Sequence, residues 1–549
     1  MNPYISFSSR YFNSSPTKDA TGFPKVIQVT PFADNNNIPV PVVSFNTIQE
    51  MPRCSMCRAF MSKQMTWTRL GGKYICGYCR QPNEKFYLRY KYMERDGVGS
   101  FPELVDDVYD FEYQPPTPKL LQTIILIDTS LTFAQSNDYL YMINALKNYV
   151  DQNMRQYAYF AVITYNTSVT CYKFGESFSK IVLPVIDEDM RDLVIPHYKN
   201  LFCTIDDKAK LDALFQSLQD IQSIVADADG LSKGCCYGAA LKLAVDLLNN
   251  RGGTVIDVCG TKGTVGCGVS NRLISPSSTY TENREYLQPN QALKFYQDIA
   301  IKCSELGVVV NNFFFSRDYC DVATLGEVSH ITNGILKVYE PNKTQFEVLT
   351  NDVNAMTPSA YACALRMRIP SCLEVETVGG HFFQRSATNY ACSVMRKDTT
   401  LLFELSGGCD ANYRQLKFQL AISFSLANGA RRTRVINLEI DTSNFNSDVL
   451  RQPNLPVAMN GYIFKVIKLL KEKDLSGVKS EIEGWRNSMI QNIGKTDLTS
   501  YLYALMTSTA VQGGLTNDLM YSEMYQLQRY SPYVLNYLVQ FLYAPTASF

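Results

Sequence analysis

The chain has no long apolar run. Its most hydrophobic stretches, VVVNNFFF and VLNYLVQFLY, fall far short of the ~18 consecutive apolar residues that a membrane-spanning helix needs. It has no net charge either: 52 Lys and Arg balance 52 Asp and Glu, so no global field favours nucleic acid and any electrostatic recognition must come from a local patch. Histidine is scarce. Only His197, His330 and His381 occur, and none has a neighbour that would complete a nucleophile–base pair. His330, near the end of a short helical stretch, reads as a helix-dipole partner or a solvated side chain. The opening MNPYISFSSRYFNSSP lacks the basic-then-apolar order of a secretory signal. These absences point to a cytosolic or nuclear protein without a catalytic constellation.

Cysteine is what the chain does have, with 16 in all. In a reducing compartment most should be thiols. Four stand in the stretch MPRCSMCRAFMSKQMTWTRLGGKYICGYCR as two Cys-x-x-Cys pairs, Cys54/Cys57 and Cys76/Cys79, separated by 18 residues. A Cys-x-x-Cys hairpin turns both sulfurs toward one ion, so the spacing predicts a ribbon closed around one structural zinc. An all-sulfur shell leaves no position for a water nucleophile. The cations Arg53, Arg58, Lys73 and Arg80 would offset the anionic cluster. The other cysteines, including Cys171, Cys203, Cys303 and Cys363, have no repeated spacing and read as buried core. The vicinal Cys235–Cys236 lacks the flanking charge that favours a thiolate, and reads as core before a helix.

At 549 residues the chain exceeds one hydrophobic core, and roughly three to five domains are expected. Residues 1–48 form an irregular arm whose strand-like KVIQVT and VPVVSF feed a β-barrel. Residues 49–90 are the zinc ribbon. Residues 91–118, with the acidic PELVDDVYDFE and the proline-punctuated YQPPTPK, read as a linker. From 119 to 345 strands alternate with helices: TIILIDTS, a helix over Asp138–Gln156, YAYFAVITY, SVTCYKF, a helix over Gly238–Asn250, GTVIDVCG, a helix over Gln291–Leu306, then VVVNNFFFS and GILKVYE. That alternation predicts a doubly wound, mostly parallel sheet. Residues 355–448 hold five β-type runs and read as a sandwich or barrel. Residues 449–549 are helical, with Val478, Ile482, Trp485, Met489 and Ile493 on one face and Trp485 in the core. The fold class is therefore multidomain α/β plus β.

Three further constellations carry chemistry. Asp128, Ser130 and Thr132 follow the first α/β strand at its carboxyl end and resemble the metal-binding loop of von Willebrand A domains, where hard oxygen ligands would suit magnesium. Later loops offer no matching Thr and Asp, so a degenerate, empty loop is expected. Gly260, Gly263, Gly266 and Gly268 form a glycine-rich loop with no helix directly behind it, which argues against a phosphate cradle and for a flexible surface loop. Arg366 and Arg368 are two apart on a strand and share a face, as do Arg432 and Arg434, while Arg385 stands in the nearby HFFQRS. Paired guanidinium groups suit carboxylate or phosphate recognition, and solvated strand charges are the competing reading.

The order of zinc ribbon, von Willebrand A-like trunk, β-sandwich or barrel and C-terminal helical domain resembles the inner-coat subunits of COPII vesicles. RCSMCRAFMS…GGKYICGYC is similar to that family's zinc ribbon, and YQPPTPKLLQTIILIDTS to the entry of its trunk. RDYCDVATLGEVSHITNGILKVYE resembles a trunk segment of the cargo adaptor, the Sec twenty-four type, and ALRMRI and ARRTRVINLEI resemble its barrel strands. The similarity runs in patches from about residue 28 to the end. It implies a non-enzymatic coat component, cytoplasmic and peripheral on endoplasmic reticulum exit sites and COPII vesicles, that selects cargo for transport to the Golgi. Implied partners are the GTPase-activating sister subunit, the small coat-recruiting GTPase, the outer coat, the cytosolic tails of membrane cargo and SNAREs, and the membrane surface; no nucleic acid is implied. By the same resemblance Arg53, Arg58, Arg366 and Arg368, with Arg385, would bind acidic sorting signals. The family's long Pro/Gln-rich leader is nearly absent, and a gelsolin-like domain is expected where LYAPTASF ends. The alternative is a zinc and von Willebrand A interaction subunit of a nuclear assembly.

Overall fold

Four consecutive apolar residues, Ile124 to Ile127, leave the strand Gln122–Asp128 no polar face, so both sides must be covered. In the structure, a computed structural model, they are. It describes residues 2–542 except 13–22, 36–37, 71, 85–86, 114–121, 154–158, 176–177, 186–199, 205, 227–233, 249–251, 276–277, 283, 316–318, 341–342, 410–413, 452 and 531–533; His197 and the proline-punctuated stretch lie outside the described residues. Ile124 and Leu126 pack into one core with the helices Tyr237–Leu247 and Leu293–Leu306, while Ile125 and Ile127 pack into another with Asn137–Asn153 and Lys208–Ala226.

The trunk sheet runs in the order Phe178–Pro184, Ser168–Phe174, Tyr159–Tyr165, Gln122–Asp128, Gly253–Cys259, Val308–Phe315, Leu336–Tyr339. The last five of these strands are parallel neighbours and the first two antiparallel additions, a doubly wound architecture of von Willebrand A type. Trunk packing continues past residue 345, because the helix Phe346–Asn354 sets Leu349 and Val353 into the second core. Cys235 and Cys236 are fully buried, and burial holds both thiols up, as core residues should be. Two other cysteines depart from the thiol expectation: Cys372 and Cys409 are joined in a disulfide. The glycine-rich loop is pinned, not flexible. Ser270 Oγ bonds Asp321, and the amides of Thr264 and Val265 donate to the Cys235 carbonyl.

The β-sandwich is assembled from distant parts of the chain. One sheet orders Ile5–Phe7, Val26–Val29, Leu401–Gly407 and Leu373–Gly379. The other runs Phe383–Ser386, Asn389–Met395, Ala360–Arg368, Gln415–Ser425, Arg431–Ser443, Val108–Tyr113, Val42–Phe45. Ile27, Val29, Leu365, Met367, Phe403, Phe418 and Leu420 fill the space between them.

The stretch read as a linker is therefore structural. Val108–Tyr113 lies antiparallel to the strand of the second arginine pair, with Asp110 opposite Arg434 and Glu112 opposite Arg432. Arg434 forks Asp110 at 2.7 and 2.9 Å and donates to the Pro31 carbonyl at 2.7 Å, and Arg432 reaches Glu112 at 2.6 Å. These arginines are neither ligand readers nor solvated charges; they answer the acids that had suggested a linker.

The helices Leu455–Glu472, Leu475–Ile493, Asp497–Met506 and Asn517–Leu527 close the molecule around Val478, Ile482 and Met489, with Trp485 partly buried 5.3 Å from Tyr462. A histidine pair sits where this bundle meets trunk and sandwich. His381 Nε2 faces the Tyr525 carbonyl at 3.0 Å, so it must carry the proton; His381 Nδ1 is then bare and accepts from His330 Nδ1 at 2.8 Å. His330 is thus a half-buried hydrogen-bond partner, not a solvated ring. Burial and the neighbouring His330 hold His381 well below its ordinary value, with Arg529 and Arg396 adding to the shift. Glu327 and Lys471 stand on the His330 side. A base whose folded value is depressed contributes stability that is intact above its unfolded value and is lost as pH falls below it. Urea unfolding is expected to lose up to ~1.4 kcal/mol per pH unit below about pH 6.5 through this ring, and His381→Gln should flatten that slope. An unchanged slope in the variant would contradict the assignment.

Candidate metal centre and basic cleft

The two Cys-x-x-Cys pairs fold as equivalent knuckles. In the first, Cys54 N–H donates to the Ala59 carbonyl at 2.7 Å and Arg58 N–H to that of Cys54 at 3.1 Å; in the second, Cys76 donates to Gln81 at 3.0 Å and Arg80 to Cys76 at 2.9 Å. Each knuckle ends on an arginine in the left-handed region, Arg58 at φ 61° and Arg80 at φ 58°. A side chain there costs roughly 1–2 kcal/mol relative to glycine, so the position needs support from its surroundings. Among the described residues, Cys54, Cys57, Cys76 and Cys79 are the one group able to hold a metal, with all four sulfurs within 4.8 Å of one another. The pairs Cys54–Cys79 and Cys57–Cys76 lie 3.7 Å apart. Tetrahedral bonds of about 2.3 Å, the length for zinc to thiolate, put sulfurs about 3.8 Å apart, so the shell fits that ion. Asn83 Nδ2 donates to Cys54 Sγ at 3.3 Å and supports that ligand from outside.

The ribbon is fixed to the outer face of the sandwich by buried amides. Gln419 bonds both backbone groups of Phe60, at 2.8 and 3.1 Å, and Tyr78 OH donates to Asn437 Oδ1 at 2.6 Å. Tyr109 OH donates to the Met61 carbonyl. This rigid joint matters because Arg368 stands opposite Gln419 on the next strand. Arg368 Nη2 donates to the Arg58 carbonyl at 2.9 Å and its Nε lies 3.5 Å from that of Cys57. Burial, then the charge of Arg366, push its guanidinium down to about 10.

A cleft of about 730 Å³ opens between ribbon and sandwich, lined by Arg58, Arg80, Arg366, Arg368 and Lys417, with Met56, Ile75, Ile369 and Leu416 as apolar wall and no carboxylate among the described residues that line it. Such an arrangement can bind an anionic, partly apolar ligand. Of the arginines singled out in the sequence, Arg58, Arg366 and Arg368 come together here. Arg53 does not line the cleft; its guanidinium lies 4.2 Å over the Phe60 ring, and burial lowers it. Arg385 is exposed on Phe383–Ser386 near the edge of the same sheet, also outside the lining. Lys73, expected to offset the sulfurs, is engaged by Glu84 at 2.8 Å. Arg80 and Lys417 are the lining cations that sequence reasoning missed as readers. Arg80 could have been found, since it repeats the position of Arg58; the place of Lys417 depends on register.

Asp128 is fully buried, its oxygens accepting from the amides of Ser130 at 2.7 Å and Gly260 at 3.0 Å, and burial raises it to about 6. Gly260 is required for this approach, because a Cβ there would lie 2.4 Å from that of Phe133. Ser130 Oγ meets Thr261 at 2.8 Å, and Thr132 lies in the helical turn Leu131–Ala134.

Comparison with known proteins accords with this architecture. Residues 118–356 match the Sec23/Sec24 trunk domain and residues 360–443 the Sec23/Sec24 beta-sandwich domain, together more than half of the chain. The Dictyostelium discoideum protein transport protein SEC24 is 23% identical over 476 residues, 83% of this chain and 46% of that protein. The Saccharomyces cerevisiae SEC24 is 25% identical over 490 residues, 84% of this chain and 51% of that protein. The chain thus spans about half the length of the curated relatives it matches. The human COPII-coat protein Sec24c has the same fold, with a TM-score of 0.80 over 96% of this chain and 75% of that one at 18% identity. The trunk and sandwich domains together match more than half of the chain, and on that ground the chain belongs to the Sec23/Sec24 family.

Proposed function

We propose that the protein is a cargo-selecting component of the COPII coat, holding one structural zinc in its ribbon and capturing acidic sorting signals in the basic cleft. It would act without catalysis, peripheral to the endoplasmic reticulum membrane, paired with the GTPase-activating sister subunit and recruited by a small GTPase beneath the outer coat, to collect the cytosolic tails of membrane cargo and SNAREs. The observation that carries the reading is the cleft: four arginines and a lysine, no carboxylate among the described lining residues, and a ribbon that fixes Arg58 against Arg368.

The test is binding of a labelled peptide bearing two carboxylates spaced by one residue. Charge-assisted hydrogen bonds contribute about 1.5–3 kcal/mol each, so Arg366→Ala with Arg368→Ala should weaken binding by roughly a hundredfold or more. Arg58→Gly supplies a second variant that relieves the left-handed backbone and should fold at least as well, yet still weaken binding. Undiminished affinity in both variants would remove the cleft from the function.

A further inference from the structure

Cys372 and Cys409 are 37 residues apart in sequence, and their disulfide forms where the chain twice crosses from one sheet of the sandwich to the other. The first crossing leaves Ala360–Arg368 and enters Leu373–Gly379; the second leaves Leu401–Gly407 and enters Gln415–Ser425. Leu373 stands opposite Gly407, so the two crossings meet at one end of the sandwich. That end is the cleft. Ile369, Pro370 and Ser371 line it from the first crossing, and Gln415, Leu416 and Lys417 from the strand that follows the second. The disulfide therefore ties together the two stretches of sandwich that carry these lining residues.

Its sulfurs differ in access: Cys372 is half-buried and Cys409 is 5% exposed. Another cysteine pair in the sandwich gives the contrast. Cys363 faces Cys392 across neighbouring strands, 2% and 1% exposed, and both are thiols. Exchange needs a sulfur that an outside thiol can attack, and of the two pairs Cys372–Cys409 offers one. The ladder from Leu373 to Gly379 keeps its two strands in register without the bond, so opened thiols stay neighbours and the bond can re-form. The turn ahead of that ladder has less to hold it, being closed by the Leu373 N–H donating to the Pro370 carbonyl at 3.1 Å.

We infer that Cys372–Cys409 is a redox-sensitive tie that sets how firmly the cleft grips its ligand: closed, it fixes the wall at Ile369–Ser371, and open, it releases that wall. The inference rests on the acidic-signal reading above and on the cytosolic location that goes with it, where protein disulfides are usually transient and redox-sensing. A glutathione thiolate attacks Sγ of Cys372, the S–S bond breaks, and the Cys409 sulfur leaves as a thiolate. A second glutathione displaces Cys372 from the mixed disulfide. Two glutathiones are oxidised to one disulfide, and the two freed cysteines take up the two protons they gave.

The experiment equilibrates the full chain, zinc-loaded, in glutathione mixtures running from the oxidising poise of the endoplasmic reticulum lumen to the reducing poise of the cytosol. Alkylation and mass spectrometry read the state of Cys372 and Cys409, elemental analysis reads zinc, and anisotropy reads binding of the diacidic peptide. The bond is expected to open across this range, with peptide affinity falling about threefold to tenfold as the wall must be ordered on binding, at constant zinc. Cys372→Ser with Cys409→Ser should hold the weaker affinity in every mixture; the wild-type titration stands without it if that variant does not fold. A bond that stays closed at the cytosolic poise, or never forms at the lumenal one, would overturn the switch. So would an affinity that follows zinc rather than the bond. Equal affinity in both states would overturn the switch and leave the acidic-signal reading standing. Binding in neither state would overturn both.

Discussion

Asp110→Ala is expected to destabilise the sandwich by about 3–5 kcal/mol, enough to threaten its folding. Asp110 is fully buried, and Arg434 is 8% exposed. Every nitrogen of the guanidinium is committed, two to Asp110 and the third to the Pro31 carbonyl, while its carbon lies 4.7 Å over the Phe32 ring. Removing the carboxylate leaves that cation buried and unanswered, and the effect is that penalty more than the worth of the pair itself. A double variant, Asp110→Leu with Arg434→Met, removes both charges and should recover most of the loss. Urea unfolding followed by the near-ultraviolet signal measures both. If the single variant costs under 1 kcal/mol, or the double costs as much as the single, the buried pair is not what holds these strands.

Removal of the metal is expected to abolish acidic-peptide binding while sparing the trunk. The ribbon's own core is small, built on Met61, Met65, Tyr74, Tyr87, Tyr90 and Phe101, too little to fold without a further constraint. In such modules the binding free energy of the ion is folding free energy. Once the knuckles loosen, nothing keeps Arg58 and Arg80 in the left-handed region, and Arg368 loses both carbonyls that orient it. Chelation, or Cys76→Ser, should therefore remove one zinc equivalent by elemental analysis and reduce peptide affinity at least a hundredfold. Hydrogen exchange over the strand Gln122–Asp128 should stay slow. Full affinity in metal-free protein would separate the cleft from the ribbon.

What the sequence told in advance was local. Two Cys-x-x-Cys pairs announce a metal by spacing, the run through Ile124–Ile127 announces a strand covered twice, and Arg366 and Arg368 share a face by parity alone. What it withheld was pairing. Asp110 and Arg434 stand 324 residues apart, so one was read with the acids of a linker and the other with Arg432 as a strand pair suited to a ligand. His330 and His381 are 51 apart and answer each other only across a domain junction. Lys417 reaches the cleft because of strand register, and Arg53 misses it because an aromatic ring claims its guanidinium; neither follows from periodicity.

The route of the chain through the sandwich has a consequence during its synthesis. Tyr113 leaves the ribosome 318 residues ahead of Arg431, its neighbour in the sheet. At about 5–20 residues per second, the nascent strand waits on the order of a quarter of a minute to a minute for its partner, with the whole trunk translated in between. Tyr109 and Phe111 would spend that interval exposed. Val42–Phe45 and the ribbon, both complete by then, are the elements already beside them: Val43 stands opposite Phe111, Met61 accepts from Tyr109, and the Phe60 ring lies 5.6 Å from that of Phe111. Metal capture early in translation would thus let the ribbon join Val42–Phe45 in covering the waiting strand, before the strands from Ala360 onward exist.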